Sequence, residues 1–409
     1  MSTTSADTAS TAATGPALTP LLIANFAMMA GSYAFFAVAA PLARLLNLQA
    51  SHMGAIIAVV GLVWVATARR WGRLADLRGR VPVMRIAMAG FTASYLLLAL
   101  YVGWALRARA PALALSVAVL LATRAAMGGY FAALPVAAFA WIADRTAPHA
   151  RAAAMARFGA AGALGMVIAP PVAGWIAGHD MAAMLAVFAL LPLAGWPGLG
   201  RLRDTGPRER RDAPARLKIA DARIRKPWLC ALMLYSVIGI ANSAFGFYVI
   251  DRLHVPARQA AVVAGYALGS AGLGMIAMQS VVGRLPSVAP LQWLRWGALA
   301  GAAGFASVLL VGPAQPMAVC VSYLVAACGM GASFPAVAAL ASAAVDAREQ
   351  GACAGAMSTA QGLSMVAAPL IGAALYDWRA QAPFVVIGGM LLMVCGATWP
   401  RTRRMHAQP

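Results

Sequence analysis

Long apolar runs, separated by short polar and basic segments, fill the chain from residue 18 onward. A helix crosses the hydrocarbon of a bilayer with about 20 apolar residues, and runs of that length divide the sequence into twelve candidate spans. Lipid offers no partner to backbone N–H and C=O groups, so this many spans predict an all-α integral membrane protein with twelve transmembrane helices. The predicted spans are approximately residues 18–42, 53–68, 82–105, 111–141, 152–178, 181–200, 227–250, 260–282, 288–311, 316–344, 351–376 and 383–400.

The longest polar interval, residues 201–226, divides these spans into six and six. It contains ten basic and four acidic residues. We therefore predict a disordered tail over residues 1–17, an N-terminal six-helix bundle over 18–200, a basic linker over 201–226, a C-terminal six-helix bundle over 227–400 and a second tail over 401–409.

The two predicted halves repeat each other. Pro135 and Pro335 lie 200 residues apart in long apolar runs, and APPVAG (Ala169–Gly174) is matched by APLIGA (Ala368–Ala373), 199 residues later. A repeat of about half the chain is typical of transporters built from two related bundles, with the substrate between them near the middle of the membrane. The sequence thus predicts two pseudo-symmetric bundles around a central site.

The composition and charge of the chain indicate which partner its basic residues face. The chain is 62% hydrophobic with a mean hydropathy of +0.76 and a formal net charge of +20. Its basic residues cluster between apolar runs and not along one face of a folded domain, which argues against nucleic acid and for the bilayer as partner. If both termini lie on one side, 25 basic residues fall on that side and six on the other. The positive-inside rule then predicts a multi-pass protein of the inner (plasma) membrane with cytoplasmic termini.

The segment GRLADLRGR (Gly72–Arg80) packs four charges into nine residues between the second and third spans. Transporters of the major facilitator superfamily carry G-x-L-x-D-R-x-G-R at this place, and the chain resembles them. It departs from their pattern at Leu77, where the family has arginine. The matching residues are Gly72, Leu74, Asp76, Gly79 and Arg80.

Two further segments carry the resemblance. LLATRAAMGG places Arg124 and Gly128 as in the family's R-x-x-x-G element of span four. GMVIAPPVAG, with Gly165, Pro170 and Gly174, resembles the G-x-x-x-G-P-x-x-G-G signature of drug/proton antiporters, although alanines replace two of its glycines. The resemblance implies the two-bundle fold of this superfamily. It also implies a gating role for Gly165, Pro170 and Gly174.

The family resemblance also implies a latch on the cytoplasmic side. Asp76 would dock on the N-terminus of span eleven near Gly351–Gly355, where unpaired N–H groups favour a carboxylate. Arg80 would pair with Asp144 at the end of span four. These contacts are expected only while the cytoplasmic side is closed, so the loop would stabilise an outward-facing state. The alternative is a solvated basic loop with a helix cap.

Arg124 is the one ionisable residue predicted near the middle of a span, because all twelve acidic residues fall elsewhere. Burying an arginine there costs about 2.5–3.5 kcal/mol, so it should face a cavity or a polar partner. It is therefore a candidate anchor for an anionic or carbonyl-rich substrate or a group that helps to move protons; the alternative is hydrogen bonding to neighbouring helices. Other candidates for the cavity are Asn25, Tyr33, Tyr130, Tyr235, Asn242 and Gln361.

No Walker loop, zinc-ligand pair or nucleophile motif occurs in the sequence, so we predict neither an enzyme nor a bound metal or cofactor. Uphill transport would then draw on a proton gradient. We predict a monomeric secondary active transporter that exports a small organic molecule by alternating access. Without a buried carboxylate to pair with a cation, the cargo is expected to be neutral, zwitterionic or anionic, such as a drug-like compound or a siderophore. The alternative is an importer or facilitator of an organic anion or metabolite.

Overall fold

All regular structure described in this chain is helical. The structure is a computed structural model, and it describes residues 18–108, 111–204, 221–346 and 349–398. The predicted tails, residues 1–17 and 401–409, and residues 205–220 of the predicted linker lie outside the described residues.

The described part of the N-terminal half contains six helices. Helix α6 changes to a 3₁₀ segment at Leu191–Gly195 and ends in the turn Trp196–Leu199. The six are α1 (Thr19–Leu45), α2 (Ala50–Arg78), α3 (Arg80–Ala105), α4 (Leu113–Arg145), α5 (Pro148–His179) and α6 (Met181–Leu190).

The described part of the C-terminal half contains six more. With α6 counted through its last turn, eleven helices of the described chain are long and apolar enough to cross a membrane, and the last helix is a shorter apolar one. The predicted twelve-helix membrane fold is confirmed. The six are α7 (Ala222–Asp251), α8 (Ala257–Arg284), α9 (Pro290–Ser307), α10 (Val319–Ala343), α11 (Gln350–Trp378) and α12 (Ala382–Ala397).

Two predicted boundaries differ from the structure. Helix α2 was expected to end at residue 68 but continues to Arg78, because charged side chains on an exposed helix end are compatible with helical backbone once they reach water. Helix α7 begins at Ala222, inside the predicted linker, since Asp221 accepts a hydrogen bond from the backbone N–H of Arg223 and caps the helix. Hydrogen bonds from Arg223 also hold the pKa of Asp221 below its usual range.

The two halves meet along two long helix pairs. Helix α5 packs against α8, and α2 packs against α11, while α1 and α7 lie between these pairs. Exchanging the halves converts one pair into the other, which is the pseudo-two-fold relation that the sequence repeat predicts. Glycines allow the close approach: a Cβ atom at Gly54 of α2 would lie 2.8 Å from the carbonyl oxygen of Pro369 on α11.

The helix ends define two faces of the bundle. We call the face with the α2–α3 connection and the starts of α7 and α11 the basic face, and the opposite one the far face. The hydrogen bonds and ion pairs described between the halves lie at the far face, where Arg44 pairs with Asp251 and Ser51 contacts Asp377. At the basic face, a Cβ atom at Gly351 or Gly355 of α11 would have no described atom within 4 Å. The halves are therefore closed together at the far face and separated at the basic face.

Candidate functional site

Two adjoining pockets lie between the halves, and we describe them as two lobes of a central cavity because they share four lining residues. Both lobes are bordered by Tyr33 and Phe36 of α1 and by Ile238 and Asn242 of α7. We call these four residues the shared wall. The remaining lining residues of one lobe include residues of α2 and α11, and those of the other include residues of α5 and α8. Ligand sites of membrane transporters lie at such an interface between repeats.

The polar lobe, on the α2–α11 side, has a volume of about 180 Å³. It brings together five residues that the sequence singled out, from three different helices in addition to α4. Their side chains offer a guanidinium, two phenol hydroxyls and two amides to a ligand. These residues are Arg124, Tyr33, Tyr235, Asn242 and Gln361.

The aromatic lobe, on the α5–α8 side, has a volume of about 350 Å³. This size falls within the usual range for small-molecule pockets, about 300–1,000 Å³. Its wall is predominantly apolar, with Gln279 and Asn242 among its few polar side chains. The characteristic residues are Met166, Met275, Phe305, Tyr323, Met330 and Phe334.

Arg124 is only 3% exposed, yet no described carboxylate forms an ion pair with it. Its guanidinium carbon lies 4.0 Å from the centre of the Phe35 ring, and Nη1 lies 3.8 Å from the sulfur of Met127. Its Nε atom is buried without a hydrogen-bond partner in the described chain. The cation–π contact with Phe35 contributes about 2 kcal/mol when desolvated. It stabilises the positive charge in part but does not supply a negative charge to pair with it. The guanidinium therefore keeps hydrogen-bond donors that a negatively charged or strongly accepting group could use.

Two predicted cavity residues make other contacts. Asn25 is buried and donates a hydrogen bond of 2.7 Å to the carbonyl oxygen of Phe158, which joins α1 to α5. Tyr130 packs against Trp71, with ring centres 6.0 Å apart. Neither residue is among those that line the two described lobes, so their predicted place at the cavity gains no support from these lobes and stays a prediction. Their polar atoms and rings join helices of the N-terminal half.

The aromatic lobe was not predicted from the sequence, since only polar side chains within the spans were taken as candidates. Tyr323 illustrates a usable signal: the 200-residue repeat carries Arg124 onto position 324, next to Tyr323. The Tyr323 hydroxyl is buried without a described partner, and its ring lies 4.1 Å from that of Phe245. The repeat therefore brings an aromatic residue of the C-terminal half to within one position of the equivalent of Arg124.

At the basic face, the predicted latch residues form contacts within the N-terminal half. Asp76 pairs with Arg80 at 2.5 Å, and Arg80 Nε lies 3.7 Å from a carboxylate oxygen of Asp144. The pairing of Arg80 with Asp144 agrees with the prediction. It was expected only with this face closed, however, and it is present here with this face open, because both residues belong to the same half. Asp76, with its side chain 52% exposed, is directed to Arg80 and not to the start of α11.

The start of α11 is fixed within its own half. Glu349, directly before α11, accepts two hydrogen bonds from the Arg223 guanidinium, of 2.9 and 3.0 Å. These bonds hold the pKa of Glu349 below its usual range, so the carboxylate stays ionised beside the helix N-terminus. In this state Glu349 supplies the negative charge that Asp76 was expected to bring.

Gly79 is the turning point between α2 and α3. Its φ of 95° is a left-handed conformation that side chains rarely adopt, and Arg80 donates its backbone N–H to Asp204 at 2.9 Å. Asp204 follows α6, and the sequence analysis did not single it out. Backbone carbonyls of residues 203 and 204 also accept hydrogen bonds from Arg145, so the end of the N-terminal half closes over this turn.

Replacing Gly79 with alanine should destabilise the protein by about 1–3 kcal/mol, the usual cost of a strained backbone. A Cβ atom there would lie 1.9 Å from a carboxylate oxygen of Asp204, in addition to the unfavourable φ. Gly72→Ala is the matched control, because its Cβ would meet only Val136 at 3.6 Å. Thermal unfolding of the purified protein measures both. Equal melting temperatures for the two variants would contradict the structural reading of this turn.

At the far face, four side chains form a cluster that we call the far-face clasp: Arg44, Asp251, Tyr376 and Asp377. Arg44 pairs with Asp251, and the Tyr376 hydroxyl donates to the same carboxylate at 2.8 Å. Asp377 accepts a hydrogen bond of 3.0 Å from the backbone N–H of Ser51, at the start of α2. The clasp joins α1 and α2 to α7 and α11, and the sequence analysis did not predict it.

Asp251→Asn should loosen the far face, because it removes the charge that binds Arg44 and the acceptor that Tyr376 prefers. Partly exposed ion pairs contribute up to about 1 kcal/mol, so we expect the closed population to fall about fivefold. Spin labels at Gln49 and Arg379, in a background without the five cysteines, measure the distance between the far ends of α2 and α11. Asp180→Asn serves as control, because Asp180 caps α6 within its own half. An unchanged distance distribution would rule out a gating role for the clasp.

The segment of α5 that resembles the antiporter signature contacts its own half at one end and the other half at the other end. A Cβ atom at Gly165 would lie 2.5 Å from the carbonyl oxygen of Phe26 on α1, within the same half. At Gly174 it would lie 2.3 Å from the carbonyl oxygen of Ala261 on α8, in the other half. Pro170, between them, borders the aromatic lobe. Pro170 therefore lies at a cavity wall and Gly174 at the contact between the halves, whereas Gly165 packs within the N-terminal half.

A third crevice borders both lobes and reaches toward the basic face. Its volume is about 250 Å³, and Tyr235 and Phe334 belong both to it and to one lobe or the other. It runs between α7, α10 and α11 to Ser342 and Gln350, near the ends of α10 and α11. The cavity is thus approachable from the basic face in this state.

Comparison with known proteins adds family evidence to this geometry. The sequence model described as Major Facilitator Superfamily matches residues 21–369. The tetracycline resistance protein, class G, of Vibrio anguillarum is 28% identical over 370 residues, covering 85% of this chain and 86% of that protein.

Two solved structures illustrate the similarity in fold. A bacterial homologue of the human lysosomal transporter Spinster, in an inward-facing and occupied conformation, has a TM-score of 0.69 at 17% identity, with 93% of this chain and 90% of that chain covered. A mutant of the nucleoside transporter NupG has a TM-score of 0.72 at 11% identity, with 93% and 98% covered. At these identities the likeness concerns the fold alone.

Proposed function

The chain belongs to the major facilitator superfamily of membrane transporters, and from that premise we propose that it is a proton-coupled exporter of a small organic molecule. The cargo would be neutral, zwitterionic or anionic, such as a drug-like compound or a siderophore. The basic face would lie in the cytoplasm of a cell with an inner (plasma) membrane, so that this structure represents an inward-facing state.

One observation carries the cargo assignment: the Arg124 guanidinium is buried beside the central cavity and has no carboxylate partner among the described residues. An unpaired buried charge is costly, so binding of an accepting group at this place is favoured. The neighbouring amides of Asn242 and Gln361 offer both donors and acceptors, which suit carbonyl-rich or zwitterionic molecules as well. A simple lipophilic cation finds no opposite charge in either lobe.

Two features favour export over import. The relative from Vibrio anguillarum carries the name of a resistance protein, and the α5 segment around Pro170 resembles the signature of drug/proton antiporters. The tetracycline relative shares only 28% identity, so it supports the direction of transport more than the identity of the cargo. An importer or facilitator of an organic anion is the second candidate, because Arg124 would bind its cargo equally well.

The energy would come from the proton gradient. A membrane potential supplies about 2.3 kcal/mol per charge per 100 mV, while tenfold accumulation costs about 1.4 kcal/mol. One proton therefore suffices for a gradient above tenfold. The driving proton must move inward while the cargo moves outward, so it cannot travel on the cargo. No carboxylate borders the described lobes, so the candidates for its carrier are carboxylates near the two faces, such as Asp144 and Asp251.

Reconstituted vesicles with an imposed pH gradient test the proposal. We expect cargo to leave the compartment that the basic face of the protein borders when the opposite compartment is more acidic. An uncoupler should abolish this flux. Empty vesicles and the Arg124→Met variant serve as controls. Cargo movement that follows its own gradient, regardless of pH, would favour the facilitator instead.

A further inference from the structure

We propose that the cargo is an amphipathic organic anion, with an acidic head in the polar lobe and an apolar, aromatic or similarly bulky body in the aromatic lobe. This inference rests on the proposed transport function and narrows its cargo class. It excludes compact hydrophilic anions, such as sugar acids and inorganic phosphate, which the proposed function by itself would admit.

The head group is defined by Arg124. The guanidinium is stacked on Phe35 on one side, and its Nε has no described partner. A carboxylate or sulfonate bound there makes charge-assisted hydrogen bonds in a site of low dielectric, where such bonds are strongest. Tyr235 and Gln361 border the same lobe and can hydrogen-bond the remaining oxygen atoms of the head.

The body is defined by the other lobe. At about 350 Å³ it is roughly twice the volume of the polar lobe, at about 180 Å³, and its mostly apolar wall includes three methionines and five aromatic side chains. Methionine adapts its shape and makes favourable sulfur–aromatic contacts, so this wall suits flat rings. A hydrophilic ligand would lose its hydration in this lobe without receiving hydrogen bonds in return.

The shared wall makes it possible for one molecule to occupy both lobes. Tyr33 and Phe36 approach from α1, and Ile238 and Asn242 approach from α7. The ring centres of Tyr33 and Phe36 are 5.5 Å apart in an edge-to-face contact. Because α1 and α7 belong to different halves, a ligand that passes between them contacts both halves at once. Binding of such a ligand can therefore affect how the two bundles are placed relative to each other.

A matched set of three probes tests the class. The first is 4-(2-naphthyl)butanoate, which has both the acidic head and the aromatic body. The second is its primary amide, with the same body and no charge, and the third is gluconate, with the charge and no apolar body. Binding to the full-length protein in lipid nanodiscs is measured by calorimetry. We expect the carboxylate to bind at least about tenfold more tightly than the amide, and gluconate to show no binding.

Variants assign the two contacts. Arg124→Met should remove the tenfold preference for the carboxylate over the amide, and Arg124→Lys should keep part of it. Met275→Ala, in the aromatic lobe, should weaken both naphthyl ligands about fivefold and leave their ratio unchanged. Leu273→Ala is the control on the same helix, because Leu273 is 62% exposed on the outer surface of α8.

Each result supports or overturns the inference separately from the transport proposal. Equal affinities for carboxylate and amide, or tight binding of gluconate, overturn the amphipathic class even if vesicles show proton-coupled export of another cargo. Selective, Arg124-dependent binding of the carboxylate supports the class even if vesicles show no coupled flux, in which case the exporter proposal alone fails. Equal effects of Met275→Ala and Leu273→Ala would remove the aromatic lobe from the site.

Discussion

Arg124→Met is expected to reduce transport of anionic cargo severely while it raises the stability of the protein. The guanidinium is 3% exposed and lacks a carboxylate partner among the described residues. Replacing it with an apolar side chain of similar length removes a burial cost of about 2.5–3.5 kcal/mol on insertion scales, less what the contact with Phe35 returns. We expect a net gain of about 1–2 kcal/mol in thermal unfolding. Loss of the charged hydrogen bonds to cargo should reduce transport about a hundredfold.

Arg124→Lys distinguishes charge from shape. Lysine keeps the positive charge but loses the planar group that stacks on Phe35 and binds an acidic head with two parallel hydrogen bonds. It should retain a fraction of the transport activity and show no gain in stability. A Met variant that is less stable than the wild type would mean that Arg124 holds helices together, and the cavity-facing role would have to be abandoned.

Gly174→Ala is expected to reduce transport at least tenfold by holding the far face open. Helices α5 and α8 approach so closely here that a Cβ atom would lie 2.3 Å from the carbonyl oxygen of Ala261 and 3.2 Å from the Cα atom of Gly265. Both neighbours are backbone atoms, so only a separation of the helices relieves the clash. Because α5 and α8 belong to different halves, this separation opposes closure of the far face and interrupts the alternation between states.

Gly178→Ala is the matched control one helical turn away. Its Cβ would meet Val262 at 2.9 Å, but that contact is with one side-chain methyl group and not with backbone, so it should displace the helices less. Spin labels at His179 and Gln259 measure the distance between α5 and α8 at the far face. We expect a longer distance in Gly174→Ala and a wild-type distance in Gly178→Ala. If both variants transport like the wild type, the close contact at Gly174 has no part in gating.

The sequence predicted the membrane helices well and their charged ends poorly. Apolar length is a physical requirement of the bilayer, so every predicted span overlaps a helix of the described chain. The end of a helix in water is set by local capping instead. Gly79 ends α2 ten residues beyond the predicted limit, and Asp221 starts α7 inside the predicted linker. Neither position is visible in a hydropathy pattern.

The candidate site was predicted in part, for a reason that Arg124 makes clear. A lone charge in an apolar span must face a cavity or a partner, and the structure places Arg124 at the polar lobe with Tyr33 and Gln361. The same reasoning is weaker for Asn25, because a neutral amide is satisfied by a single neighbouring carbonyl, here that of Phe158. A polar side chain in a span therefore predicts a ligand site only when no nearby helix can satisfy it.

The sequence by itself determined that this protein lies in a bilayer, where its twelve spans are, that its halves repeat and that Arg124 is a lone cation in a span. Hydrophobic length and charge can be read along the chain without knowledge of which residues meet in space. The tertiary structure alone decided which distant residues meet. Arg44 and Asp251 lie 207 positions apart, and the aromatic lobe takes side chains from helices of both halves. Such contacts depend on how the two bundles are placed relative to each other, and no local property of the sequence specifies that relation.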